Sequence, residues 1–211
     1  KLKESINAIK RLGYFSLVDL DLQKTEIENQ VDINIKVKES LTGSFSFGIG
    51  YDSIEKEQIT LGLNEKNFLG KGLKTRFELT TSGKSTRYNI GVTEPYYKDL
   101  PLLLSGDIFD EKNERSNQDI DKTGFGLAVG FDVKDYFNKF SYTFVESKTT
   151  KSASSTAASI SGEEGIEIQT SSIGYLISKD TRDNFFNPKS GSRFLANTTF
   201  AGVGGDARFI K

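Results

Sequence analysis

Cysteine, methionine, tryptophan and histidine are all missing from these 211 residues. Without cysteine there is no disulfide framework and no thiolate metal site. Without cysteine or histidine, the thiol nucleophiles and the imidazole general bases are excluded together. Most common enzyme chemistries go with them, so the expectation is a non-enzymatic protein with no cofactor and no metal. A surplus of one charge is lacking too. Lys and Arg total 28 against 29 for Asp and Glu, interspersed along the chain, and the net of -1 gives no electrostatic footprint for nucleic acid. A sequence that opens on Lys1 and contains no methionine is expected to be a segment of a longer reading frame. Its lack of a signal peptide then carries no information about compartment.

Long hydrophobic runs are absent as well. No window approaches the roughly 18 apolar residues that a spanning helix needs. Mean hydropathy is -0.42 and hydrophobic residues make up 36%. These averages exclude helical membrane proteins and say nothing of a transmembrane barrel, whose strands alternate lipid-facing apolar with lumen-facing polar residues. The informative quantity is the period.

Leu2, Ile6, Ile9 and Leu12 recur at helical spacing, and Gly13 is placed to end that helix in a left-handed cap. Val18, Leu20 and Leu22 then alternate with polar residues, as do Val31, Ile33, Ile35 and Val37. One helix on a two-stranded hairpin buries too little surface to stand alone, so this part is expected to be the end of a larger module. From Thr42 the character changes. In GSFSFGIGYD, Phe45, Phe47, Ile49 and Tyr51 point one way, and Ser44, Ser46, Gly48 and Gly50 the other.

The same alternation returns at Ile59 to Leu63, Thr75 to Leu79, Tyr88 to Val92, Phe125 to Val133 and Phe140 to Phe144. Less regular candidates are Leu102 to Phe109, Ile166 to Ile177 with a phase slip near Thr170, and Arg193 to Ala201, with a last strand beginning at Ala207. Their connections fall into two kinds. Polar tips are expected at Ser53 to Glu57, Ser82 to Ser85, Asp110 to Lys122, Glu146 to Gly165 and Gly202 to Asp206. Tighter turns with Gly, Pro or aromatics are expected at Asn67 to Gly72, Glu94 to Pro101, Lys134 to Asn138 and Asp180 to Gly191. The Ser and Ala rich stretch Lys151 to Ser159 should be mobile. Long loops on one rim and short turns on the other are the outer-membrane pattern.

The run TGSFSFGIGYD resembles the first barrel strand of the BamA family, outer-membrane assembly factors of the bacterial surface antigen type. It is joined, in the family's order, by NFLGKG at Asn67 to Gly72, TEPYY at Thr93 to Tyr97 and DTRDNFFNPKSG at Asp180 to Gly191. Upstream, RLGYFSLVDLDL and VDINIKVKES resemble the second helix and last two strands of a POTRA domain, the periplasmic module that joins onto the barrel. The family's Arg-Gly-Phe loop motif is not among these residues.

The resemblance implies a mainly β chain. Residues 1–40 would be the C-terminal part of the last POTRA domain, in the periplasm. Residues 41–211 would be the N-terminal part of an outer-membrane β-barrel, about ten strands in an open, curled antiparallel sheet. The implied function is insertion of β-barrel proteins into the bacterial outer membrane through a lateral seam at the first strand. Its residues would be Gly43, Ser44, Phe45, Ser46, Phe47, Gly48, Ile49, Gly50 and Tyr51, where an unpaired edge can accept a strand. The implied partners are outer-membrane protein clients, accessory assembly lipoproteins and the lipid bilayer, with no nucleic acid. The implied periplasmic turn residues are Asn67, Phe68, Gly70, Gly72, Glu94, Pro95, Tyr96, Asp180, Arg182, Asp183, Pro188 and Gly191. A POTRA-barrel translocation pore of the two-partner secretion type is the alternative, and a passive porin or adhesin would lack the POTRA-like segment.

Each feature also has a plainer reading. Gly48 and Gly50 either loosen the strand or merely fit a crowded lumen. The Leu2 to Ser40 segment either binds clients and lipoproteins by strand addition or is a structural hinge. Asp180, Arg182 and Asp183 read as a turn stapled by charge rather than a catalytic acid pair, which needs an enclosed cleft. Arg76, Glu78 and Arg87 read as lumen or rim charges. GKG at Gly70 to Gly72 lacks the spacing of a phosphate loop. The Asn197 to Thr199 triplet sits mid-strand and is no glycosylation site. Tyr51, Tyr88, Tyr96 and Tyr97 suit an interfacial girdle, the last two best.

Overall fold

The computed structural model describes residues 2–25, 30–53, 55–115, 118–151, 165–183 and 188–211. All but the first residue of the Lys151 to Ser159 stretch lies outside them, as do Asn184 to Asn187 of the Asp180 to Gly191 motif.

Helix α1, Leu2–Leu12, carries the expected apolar stripe and stops at Gly13, whose φ is +70° and whose N–H donates to the Lys10 carbonyl at 3.2 Å. It lies against β1, Phe15–Lys24, which pairs antiparallel with β2, Val31–Glu39. Val18 faces Val37, Leu20 faces Ile35 and Leu22 faces Ile33, so one side of the hairpin is apolar. That side stays half exposed, with Ile33 at 48%. A single helix and two strands cannot close a core.

The other described strands form one antiparallel meander of ten in sequence order. They are β3, Gly43–Asp52; β4, Lys56–Phe68; β5, Leu73–Ser82; β6, Ser85–Glu94; β7, Leu102–Glu114; β8, Gln118–Val133; β9, Tyr136–Lys151; β10, Ile166–Asp180; β11, Arg193–Gly205; and β12, Phe209–Ile210. The register turns the period-two pattern into continuous rows. Phe45, Leu63, Phe77, Ile90, Ile108, Phe125 and Phe144 follow one another across seven strands. One residue along, Ser44, Asn64, Arg76, Gly91, Asp107, Gly126 and Thr143 form the neighbouring row on the opposite face.

No second layer covers the apolar face among the described residues. Among the described residues Ala201 is the single buried hydrophobic side chain, while Phe45 is 66% and Ile49 74% exposed. The wall is, among the described residues, a monolayer whose apolar side has no protein partner, the arrangement expected where lipid is the partner. Rows also drift along the strands. The row through Phe47 reaches Glu146 on β9, and the row through Glu94, the last residue of β6, reaches Phe140 in the middle of β9. Strands must therefore tilt for the apolar belt to stay level, as in a barrel wall.

The polar face is concave. Ser44 of β3 and Lys139 of β9 line the same cavity of about 510 Å³. A flat sheet would hold strands six apart at about 29 Å. The sheet does not close on itself, because β3 and β12 each have one neighbour among the described residues.

Several expected connections are shorter in the structure. Asp110 to Lys122 is mostly ladder, with Asp110 opposite Thr123 and Glu114 opposite Asp119. Glu146 to Lys151 of β9 likewise remains paired, with β8 throughout and from Glu146 to Thr149 with β10 as well. Cross-strand polar pairs carry these extensions: Thr123 Oγ1 donates to Asp110 at 2.7 Å, and Lys148 meets Glu167 at 2.9 Å. Lys134 to Asn138 shrinks to a two-residue turn with Lys134 at φ +56°. The slip near Thr170 is present as a register shift against β11, where Gly202, Gly204 and Gly205 take positive φ. No described helix is long and apolar enough to cross a membrane, which says nothing of strands.

Candidate functional site

Strand β3 pairs with β4 along its whole length and with nothing on its other side among the described residues. The Lys66 N–H donates to the Thr42 carbonyl at 3.2 Å, which marks Thr42 opposite Lys66 as a hydrogen-bonded pair. Alternation from there points the N–H and C=O groups of Phe45, Phe47, Ile49 and Tyr51 to the open edge. The exposed apolar side chains and the free backbone groups thus belong to the same four residues.

The steric setting of the strand's glycines is uneven. A Cβ on Gly48 would sit 3.8 Å from Thr60 and one on Gly50 3.7 Å from Gln58, ordinary contact distances. Crowding among the described residues therefore does not require these two glycines. Gly43 is tighter, its Cβ position lying 2.9 Å from the Glu65 carboxylate. Gly62 leaves room for Ser46 from across the ladder.

At the foot of β3 the turn at Asn67 to Gly72 is held by its own groups. The Asn67 N–H donates to Glu65 at 2.7 Å, and the Asn67 side-chain oxygen accepts from the Gly72 N–H at 2.7 Å. Leu69, Gly70 and Gly72 have φ of 57°, 70° and 74°. In the next turn on this rim, the Tyr96 N–H donates to the Glu94 carboxylate at 3.1 Å, and a 3-10 turn follows at Tyr97–Asp99. Tyr96 and Tyr97 are both exposed there.

Tyr14, which the sequence reading did not single out, joins these turns to the N-terminal unit. Its hydroxyl donates to the Gly72 carbonyl at 3.4 Å, while its own carbonyl accepts from the Ser40 N–H at 2.9 Å. Partial burial, with the Glu94 carboxylate and Tyr96 nearby, pushes the Tyr14 hydroxyl above its ordinary pKa. Its one local signal was an aromatic residue with a polar tip directly after a helix-ending glycine.

The Asp180 to Gly191 turn lies between β10 and β11, at the far end of the sheet from β3. Arg182 grips Asp180 with two parallel bonds, Nε to Oδ1 at 2.8 Å and Nη2 to Oδ2 at 2.6 Å. Asp183 accepts from the Lys189 and Ser190 N–H groups at 2.9 and 3.1 Å. Gly191, at φ +91°, passes against the Thr181 carbonyl where a Cβ has no room. Both carboxylates are thus engaged in holding the turn. The described residues contain no group of acidic side chains that could hold a metal. Two of the proposed turn motifs lie together beside the foot of β3, and the third stands apart.

On the polar face, Arg76 donates to Asn89 at 3.2 Å and Arg87 pairs with Glu111 at 2.9 Å. Residues 67–211 match the model of the Omp85 superfamily domain. The chain belongs to the Omp85 superfamily. It is 28% identical, over its whole length, to the outer membrane protein assembly factor BamA of Nitratidesulfovibrio vulgaris, of which it covers 27%. It is 23% identical over its whole length to that of Neorickettsia risticii and covers 29% of it. The crystal structure of BamA from Haemophilus ducreyi lacking POTRA domains 1-3 superposes with a TM-score of 0.74 at 21% identity, over 97% of this chain and 42% of that one. The chain spans under a third of the length of these two relatives and under half of the crystallised chain. Omp85 membership places it in the bacterial outer membrane.

Proposed function

We propose that this chain is the gate-side part of an outer-membrane protein assembly factor. Residues 41–211 form the first strands of its barrel, and residues 1–40 are the end of the periplasmic POTRA domain that precedes it. The observation that carries this is β3: a long apolar strand at an open edge, its free backbone groups on the same residues that face lipid. In hydrocarbon each unsatisfied backbone group costs several kcal/mol, so a client strand arriving at this edge is strongly favoured to pair with it. The work is templating, with no cofactor and no bond made or broken. The relatives' shared description as assembly factors supports this over a two-partner secretion pore.

Gly48 and Gly50 keep this strand easy to bend away from its neighbours, and their open surroundings support that reading over the crowded-lumen one. Client segments and accessory lipoproteins meet the N-terminal unit on the periplasmic side. The test is the full-length protein with Gly48→Val and Gly50→Val together, reconstituted in liposomes with a client barrel whose insertion is followed by its heat-modifiable gel shift. Both positions have room for a side chain, so the protein itself folds, and insertion slows by about tenfold as the stiffened strand opens less often. An unchanged insertion rate sinks the proposal.

A further inference from the structure

The apolar face carries a depression of about 500 Å³ near the long-hairpin rim. Ile108 and Phe125 floor it, and Tyr88 and Phe144 wall it, with the Phe125 and Phe144 rings 5.8 Å apart. One row further out, Asp110 and Glu146 flank Thr123, so two carboxylates stand at its mouth. Asp110 accepts from Thr123 at 2.7 Å and Glu146 from the Gln169 amide at 3.4 Å, and neither has a cation within ion-pair distance among the described residues. One row beyond that, Lys112, Asp121, Lys148 and Glu167 lie side by side, and Lys148 meets Glu167 at 2.9 Å. From mid-belt outward the order is apolar, hydrogen-bond acceptor, then a row in which cations and carboxylates alternate.

That order selects among lipids. An ester-linked phospholipid presents ester carbonyls at the boundary between chains and headgroup, and these acceptors gain nothing from carboxylates. An N-acylated lipid presents amide N–H and hydroxyl donors at the same depth, with phosphate above. We propose that this depression is a binding site for one acyl chain of a phosphorylated, N-acylated glycolipid of the outer leaflet. The chain fills the depression, its amide and hydroxyl groups donate to Asp110 and Glu146, and its phosphate meets Lys112. This rests on the reading of the apolar face as lipid-facing.

The experiment places a benzophenone amino acid at Tyr88, in the wall, or at Phe140, on the same face lower in the belt, in the full-length protein. Each is irradiated in nanodiscs of phosphatidylcholine containing lipid A, or phosphatidylglycerol at equal phosphate, and the captured lipid is identified by mass spectrometry. At Tyr88, lipid A is captured about tenfold above its share, as expected for hydrogen bonds to charged acceptors. At Phe140 it is captured at its share, and Asp110→Asn with Glu146→Gln returns Tyr88 to that level. Capture at Tyr88 in bulk proportion, equal enrichment of phosphatidylglycerol, or enrichment untouched by the double substitution overturns the site. If neither position captures any lipid, the lipid-facing assignment itself is wrong and this site goes with it.

Discussion

Glu55 shows how much of a rim can rest on one carboxylate. It stands in the turn between β3 and β4, and its Oε2 accepts from the hydroxyls of Ser82 and Ser85, both at 2.8 Å, in the turn between β5 and β6. Ser82 in turn accepts from the Ser85 N–H at 2.9 Å, so the two hairpin tips form one cluster. The bonds from Ser85 and Ser82 hold the Glu55 carboxyl below its ordinary value of 4.5. A carboxyl lowered in the folded state stabilises it above the unfolded value and loses that effect as pH falls through the folded one. Exchange protection of the Ser85 amide is therefore flat around neutrality and declines below about 4.5 in the native protein. With Glu55→Gln the protection is weaker at pH 7 and the decline disappears. A decline of the same size in that variant would assign the effect to another group.

The hairpins β7–β8 and β9–β10 extend past the apolar belt on ladders of polar pairs. Lys148 opposite Glu167 is a member of one, half exposed and outside the belt. Such pairs contribute under about 1 kcal/mol, so Lys148→Glu frays the hairpin end and leaves the rest alone. Amides of Ser147 and Thr149 should exchange faster while those of Phe140 to Phe144 keep their protection, and the global unfolding midpoint should not move. The same hairpins explain what could be read from the residues alone. Strands within the belt were legible because apolar and wetted faces impose a strict period of two, and even the slip near Thr170 showed as a break in phase. The hairpin ends at Asp110 to Lys122 and Glu146 to Lys151 were not, because these runs are almost wholly polar and pairing leaves no alternation; the information sits in the partner strand. Phe109 is another exception: it faces the polar side, where Gly124 leaves space for its ring. At the site, β3 and the glycines of its turns were visible as motifs. The positive φ of Leu69 and Lys134 was not, since neither is a residue type that advertises it. The Tyr14 to Gly72 contact spans 58 positions and has no local trace.

At the scale of the molecule, the wall is one residue thick, so neighbouring residues on a strand look into different solvents. Leu127 and Ala128 on β8 are the sharpest case. Leu127 is 55% exposed on the apolar face between Gly106 and Tyr142, while Ala128 faces the polar side between Ser105 and Ser141. An arginine on the lipid face of a barrel costs about 2–4 kcal/mol at mid-membrane, and one on the lumen side meets water. Leu127→Arg should therefore lower the urea midpoint of the full-length protein folded in liposomes and slow its own insertion. Ala128→Arg, one residue away, should fold and insert like the parent, its side chain lying among small polar neighbours. Nothing about local strand propensity separates the two substitutions, since the same residue is added to the same strand. The difference reads only which side of the wall touches hydrocarbon. If Ala128→Arg is the damaging one, the faces are inverted; if both are tolerated, neither face meets a membrane, and the edge at β3 loses the medium that makes its unpaired groups costly.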